Sequence, residues 1–287
     1  MSNYEHELAL ATEIARSAGA AILGFYEAHS ATEYEKSDGS PVTDADLAAD
    51  TLIRAALQQH FPNDALMTEE GADDLVRLDS SRCWIVDPLD GTAQFINRSG
   101  EFDVMIALIE DQEPVVAVIY QPTTGLLYAA TRGGGAWRQT LGEPEPVRMV
   151  SSAAVPVLAS STYYGGREIP DVFACIAGAI EATPPMLLSI GFQPRRVVQP
   201  TWMFDAFIGL WPPDGTRFAR EWDLAAPQLF TEEAGGAFTD AYGQRYRYNQ
   251  PETLINRGLI AANDPNLHAR LIAAIEKEFI EQTNTEA

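Results

Sequence analysis

The stretch Cys83-Trp84-Ile85-Val86-Asp87-Pro88-Leu89-Asp90-Gly91-Thr92 constrains the fold of this chain more than any other. Its first four residues form an apolar run suited to a buried strand. Pro88 lacks an N–H, fixes its own φ and biases Asp87 toward extended geometry, so the chain is expected to leave the sheet at Asp87 with Asp90 held close by. Gly91 permits close backbone approach, and a helix over residues 92–97 would point free N–H groups outward. Two carboxylates beside an anion hole point to metal plus phosphate. With 41 Asp and Glu in 287 residues, a bare D-x-x-D arises by chance and is usually a solvated turn. The reading therefore rests on the strand before it, the Gly-Thr after it and the acidic clusters elsewhere.

The formal net charge of −22 argues against binding a nucleic-acid polymer or an anionic membrane through a broad basic surface. A small phosphorylated partner is still compatible, provided bound cations reverse the local field, and that favours a metal site. Cys83 and Cys175 match no zinc spacing and read as buried free thiols. The four histidines, His6, His29, His60 and His268, read as surface residues on helices or their ends rather than as ligands. The N-terminal residues lack a basic region followed by an apolar core, and runs such as 115–120 are far short of a membrane span. A soluble, cytoplasmic protein is expected.

Helical periodicity predicts helices over 7–28 and 46–60, the second capped by Thr43 or Asp44. Strands are predicted at 65–68, 102–110, 114–120 and 126–131. Residues 131–137 carry a glycine run with neither P-loop nor dinucleotide spacing, and read as a hairpin turn. Residues 142–151 look like a connector, dividing a single domain into a metal-binding α+β half (1–145) and an α/β half (146–287) that completes the substrate site. In the second half, strands are expected at 155–160, 186–190, 237–239 and 258–262, with helices at 169–182, near 201–209, at 223–234 and at 265–282.

Four acidic clusters, Asp44/Asp46, Glu69/Glu70, Asp87/Asp90 and Glu221/Asp223, each sit at the edge of a predicted element. Hard cations such as Mg²⁺ take oxygen ligands, and adjacent ions sharing a phosphate need several carboxylates converging from different segments. The motifs Ser40-Pro41-Val42-Thr43-Asp44-Ala45-Asp46, Glu69-Glu70, Asp87-Pro88-Leu89-Asp90-Gly91-Thr92 and Trp222-Asp223-Leu224-Ala225-Ala226 together resemble the lithium-sensitive, magnesium-dependent phosphatases that include inositol monophosphatase and the 3'(2'),5'-bisphosphate nucleotidases.

The resemblance implies an α/β layered αβαβα sandwich of the inositol monophosphatase and fructose-1,6-bisphosphatase type, two or three Mg²⁺ ions, lithium sensitivity, and phosphomonoester hydrolysis by in-line attack of a metal-activated water. It also allows a homodimer. Carried over by position, Glu69, Asp87, Asp90, Asp223 and the Leu89 carbonyl are metal ligands. Thr92 orients water, Asp46 pairs with its hydroxyl, and Glu69 joins them in catalysis. Glu69, Leu89, Asp90, Gly91, Thr92 and Asp223 line the substrate, while Glu70 either helps hold a further metal or is merely a solvated neighbour.

Residues 36–43 and 94–109 look more like the bisphosphate nucleotidases, which implies adenosine 3',5'-bisphosphate as substrate. Inositol 1-phosphate or another sugar phosphate is the alternative, and a non-catalytic metal-binding regulatory protein is the alternative of another class. Arg195 and Arg196 are candidates for contact with a second phosphate, or else a solvated or salt-bridged surface pair.

Overall fold

The computed structural model describes residues 4–37, 39–73, 75–149, 154–162, 169–198, 202–210 and 219–280. The chain divides into two compact units: Met1–Pro146 with Glu221–Phe230 and Arg247–Thr253, and Val147–Arg220 with Thr231–Tyr246 and Leu254–Ala287.

The first unit runs α1 (Glu5–Ala28), β1 (Glu33–Glu35), β2 (Pro41–Thr43), α2 (Asp44–His60), β3 (Ala65–Thr68), β4 (Arg82–Asp90), α3 (Thr92–Ile96), β5 (Asp103–Glu110), β6 (Glu113–Gln121), β7 (Leu126–Thr131), β8 (Gly135–Gln139) and β9 (Glu145–Val147). Strands β3 to β9 form one sheet in chain order. The β3–β4 pair is parallel and the pairs from β4 to β8 are antiparallel, the β7–β8 hairpin being the turn expected from the glycine run. Ala11, Ile14, Ala15, Ala18 and Ile22 line one side of α1 at helical spacing and are buried with the apolar residues of β5 and β6. A Cβ added at Gly19 would lie 2.5 Å from the Tyr120 ring, so α1 approaches β6 closely only because that residue is glycine. By length and composition alone α1 could cross a membrane, but this apolar side belongs to the unit's own core.

The second unit contains β10 (Leu158–Ser161), α4 (Pro170–Ala179), β11 (Met186–Leu188), β12 (Ala206–Gly209) and β13 (Ala219–Arg220). After α5 (Glu221–Glu233), whose residues to Phe230 belong to the first unit, come β14 (Ala237–Thr239), β15 (Leu254–Ile255), β16 (Leu259–Ala262) and α6 (Pro265–Ile275). Five strands form a sheet in the order β11-β10-β12-β16-β14. Its core gathers Leu158, Phe173, Ile208, Ile260 and Leu271.

Several expectations are corrected. The chain does not leave the sheet at Asp87: β4 continues to Asp90, and its pairing with β5 shifts between Asp87↔Met105 and Asp90↔Asp103, which places an extra β4 residue in a bulge. The helix expected near 201–209 is instead strand β12 over its described apolar run, paired with both β10 and β16. A short run buried in a sheet interior has no alternation to distinguish it from a helix segment. Residue 201 of that expected helix lies outside the described residues. Cys83 is buried, and burial pushes its thiol up to about 12, but Cys175 is exposed because α4 turns Phe173, Ile176 and Ala177 inward.

His268 is not a surface residue. It is buried on α6 with Nε2 2.9 Å from Thr239 Oγ1, and burial pushes its pKa below the ordinary value. The unfolded chain therefore binds a proton that the folded chain resists. The neutral form's contribution to stability should be complete above about pH 6.5, the unfolded chain's value, and lost as the pH falls from there through the lower folded-state value. In thermal melts from pH 8 to pH 5, His268→Gln should lose less stability on acidification than the parent protein; parallel curves would remove His268 as a source of acid sensitivity.

Candidate active site

The site forms where β3 ends against β4, which itself runs on to Asp90. Thr68 pairs with Val86, and the Glu69 N–H donates to the Val86 carbonyl at 3.1 Å, which brings Glu69 level with Asp87. Asp87 accepts the Leu89 N–H on Oδ1 at 2.9 Å, so the side chain stabilises the bulge that Pro88, with no N–H of its own, helps impose. Gly91 follows with φ 96°, and a Cβ there would lie 2.9 Å from the Glu101 carbonyl oxygen. The close approach at this glycine is thus to the chain's own backbone, in a conformation that L side chains rarely adopt.

Asp223, in the first turn of α5, completes the cluster: carboxylate oxygens of Asp87, Asp90 and Asp223 all lie within 4.8 Å of one another. Burial, then repulsion from Glu69, Asp90 and Asp223, pushes the Asp87 carboxyl well above the usual carboxylate range. Three hard oxygen donors converging this closely are a donor set that a divalent cation such as Mg²⁺ fits.

Asp46 serves two neighbours with its two oxygens. Oδ2 accepts from the Thr43 N–H at 2.9 Å and the Thr43 hydroxyl at 2.6 Å, closing a capping box at the start of α2, with Thr43 rather than Asp44 as the cap. Oδ1 accepts from the Thr92 hydroxyl at 2.9 Å. Burial raises the Asp46 pKa, against the hydrogen bonds from Thr43 and Thr92 that favour its charged form. The structure thus brings Thr92 and Asp46 into contact and gathers Asp87, Asp90 and Asp223 beside them, with Glu69 and the Leu89 carbonyl at the same strand ends.

Lys36, at the start of the 36–43 stretch, has no role legible in the sequence; its ammonium sits 2.8 Å from Glu69 Oε1 and 2.6 Å from Glu70 Oε1. Glu70, with its side chain 7% exposed, is therefore not a merely solvated acid. The available signal was a lysine shortly before the first of four acidic clusters. Glu221 had been noted only for its charge, yet it is buried and accepts the backbone N–H groups of Asn249 and Gln250. Arg195 and Arg196, in the second unit, both donate to Gln193 Oε1, at 2.6 and 2.9 Å, and Arg195 is buried, so they are not a solvated surface pair.

Comparison with known proteins agrees with this architecture. Residues 3–279 match the model of the inositol monophosphatase family. The 3'(2'),5'-bisphosphate nucleotidase CysQ of Salmonella typhimurium is 34% identical over 248 residues, covering 86% of this chain and 95% of that protein. The histidinol-phosphatase of Chlorobaculum parvum is 31% identical over 278 residues, covering 94% and 96% respectively. Among solved structures, CysQ of Bacteroides thetaiotaomicron, described as a bacterial member of the inositol monophosphatase family, superposes with a TM-score of 0.72 at 30% identity, over 91% of this chain and 98% of that one. The mixed helices and sheets are those of that family's layered fold. With the family model spanning nearly the whole chain, this protein belongs to the inositol monophosphatase family of phosphatases.

Proposed function

We propose that this protein is a magnesium-dependent phosphomonoesterase that releases phosphate from a nucleoside bisphosphate, with adenosine 3',5'-bisphosphate as preferred substrate. The observation that carries the reading is the Asp87, Asp90 and Asp223 cluster standing directly before a Thr92 hydroxyl already bonded to Asp46. A passive metal binder has no need of that second pair.

In this reading Glu69, Asp87, Asp90, Asp223 and the Leu89 carbonyl hold two or three Mg²⁺ ions. Bound divalent cations supply Lewis-acid polarisation of phosphoryl oxygens and a lowered water pKa. The chain's own groups do the positioning. The Thr92 hydroxyl donates its hydrogen bond to Asp46, which leaves its oxygen free to accept a hydrogen bond from the attacking water and aim it. Asp46 cannot swing away, because its other oxygen is held by Thr43. Glu69 lies near Asp46 as a further carboxylate able to take the proton that the water gives up as it attacks, and the N–H groups of Gly91 and Thr92 would face the substrate phosphate. Catalysis then rests mainly on placement and electrostatics. The same reading takes the protein as a cytoplasmic small-molecule hydrolase, able to form a homodimer, with no nucleic-acid polymer or membrane as partner.

The similarity to the Salmonella nucleotidase supports the substrate, while the histidinol-phosphatase relative favours a second reading in which a simple monophosphate is hydrolysed. Initial rates with Mg²⁺ on adenosine 3',5'-bisphosphate, inositol 1-phosphate and histidinol phosphate separate them. The first should win in kcat/KM by at least about tenfold, or ~1.4 kcal/mol of differential transition-state binding. A preference for either monophosphate would overturn the nucleotidase assignment and leave the metal chemistry in place.

A further inference from the structure

Asp223 reaches the site from the first turn of α5, a helix that carries a proline in its interior. Pro227, four residues on, has no N–H to give to the Asp223 carbonyl, so α5 omits that rung. The segment Arg247–Thr253 of the same unit adds a hold on the helix start. The Glu221 N–H donates to the Thr253 carbonyl at 3.0 Å. The Glu221 carboxylate, 1% exposed, accepts the Asn249 N–H on one oxygen at 2.7 Å and the Gln250 N–H on the other at 2.9 Å. Asn249 has φ 58°, a left-handed conformation that asparagine tolerates, and successive N–H groups around such a residue converge on an anion. About two turns further along α5, Gln228 Oε1 accepts the Tyr248 hydroxyl at 2.8 Å.

Arg77 fixes the segment from its other side. Its guanidinium, on a residue 4% exposed, donates to Asn249 Oδ1 at 2.8 Å and to the Gln250 carbonyl at 2.9 Å, while Asn249 Nδ2 returns a bond to the Arg77 carbonyl at 3.1 Å. Asp73 grips the same guanidinium, with Nη2 2.7 Å from its Oδ2. A buried carboxylate two residues before Asp223, a pair of converging amides and a buried guanidinium thus form one continuous chain of charge-assisted bonds. None of these groups belongs to the cluster that faces substrate.

We propose that Glu221, Asn249 and Arg77 are positioning residues that set the Asp223 carboxylate against Asp87 and Asp90, and so set the affinity of the site for its cation. The inference rests on the reading of Asp223 as a metal ligand. The network fixes the backbone of the first turn, and a ligand displaced by a fraction of an ångström costs a cation site more than it costs a fold.

The test is calorimetric titration of the full chain with Mg²⁺ alone, alongside thermal melts. Glu221→Gln keeps one acceptor but turns an NH₂ toward backbone donors; it should weaken the dissociation constant by about 10- to 100-fold. Arg77→Met, which leaves Glu221 in place but removes the hold on Asn249, should act in the same direction by a smaller factor and covers the case in which Glu221→Gln folds poorly. Phe238→Leu, a buried core change in the second unit, serves as the control for general destabilisation. It should lower the melting temperature and leave Mg²⁺ affinity within about twofold. Raising Mg²⁺ should restore most of the phosphatase rate of Glu221→Gln, since only positioning is lost. Unchanged Mg²⁺ affinity in both network variants, beside a parent protein that binds normally, would overturn the proposal and mark the network as structural. A parent protein that binds no Mg²⁺ at all would overturn the metal reading and the proposal together.

Discussion

Chelation of divalent cations should reduce phosphate release to background and Mg²⁺ should restore it, with lithium inhibiting the restored activity. The cation dependence follows from the arrangement of charge, whereas the lithium effect is what the family resemblance implies. Asp87 is buried among Glu69, Asp90 and Asp223, and the chain as a whole carries −22, so an anionic substrate meets repulsion until cations are bound. Asp90→Asn isolates the effect in a single side chain of nearly unchanged shape. It should lower kcat/KM by roughly 10³ or more, or about 4 kcal/mol of lost transition-state stabilisation. In the metal-free protein the sign should reverse. Removing one of several crowded like charges should raise stability by about 1 kcal/mol, or about 2–4 °C in melting temperature. A site whose carboxylates were there for the fold would respond oppositely, losing stability without metal and keeping its rate with it. Full turnover in chelator would end the metal-dependent reading.

Thr92→Ala should reduce kcat by roughly 10²–10⁴, the range expected when general-base assistance is removed, and should leave folding nearly unaffected. The geometry explains why the losses separate. Thr92 meets Oδ1 of Asp46, while the capping box of α2 uses Oδ2, so the variant removes the hydroxyl without releasing the helix start. Asp46→Ala removes both and should add about 0.5–2 kcal/mol of destabilisation from the lost cap. Comparing kcat and urea midpoints for the two variants measures this difference. A Thr92→Ala enzyme with near-parental kcat would exclude the hydroxyl from aiming the water.

Much of the first unit was legible without coordinates. The helix of Ala11, Ile14, Ala15, Ala18 and Ile22 and the strands around the 131–137 turn announce themselves through local periodicity, which depends only on near neighbours in the chain. The acidic segments were equally legible, because residue type and spacing specify a donor set wherever the chain later carries it. Hence Asp46, Glu69, Asp87, Asp90, Thr92 and Asp223 were all named from sequence.

The sequence by itself determined which residue types the site would use and which segments would be helix or strand wherever the pattern is periodic. Tertiary structure decided the features that depend on a distant partner. Strand β4 continues through Asp87 because β5 offers a bulged register, and 206–209 is a strand because β10 and β16 flank it. Lys36 lies on Glu69 and Glu70, and Glu221 is held by Asn249 and Gln250. His268 is buried where its polarity suggested solvent. The physical reason is common to all of these: a short apolar run or a lone charge has no periodicity of its own, so its conformation and environment are fixed by whichever remote backbone or side chain satisfies it.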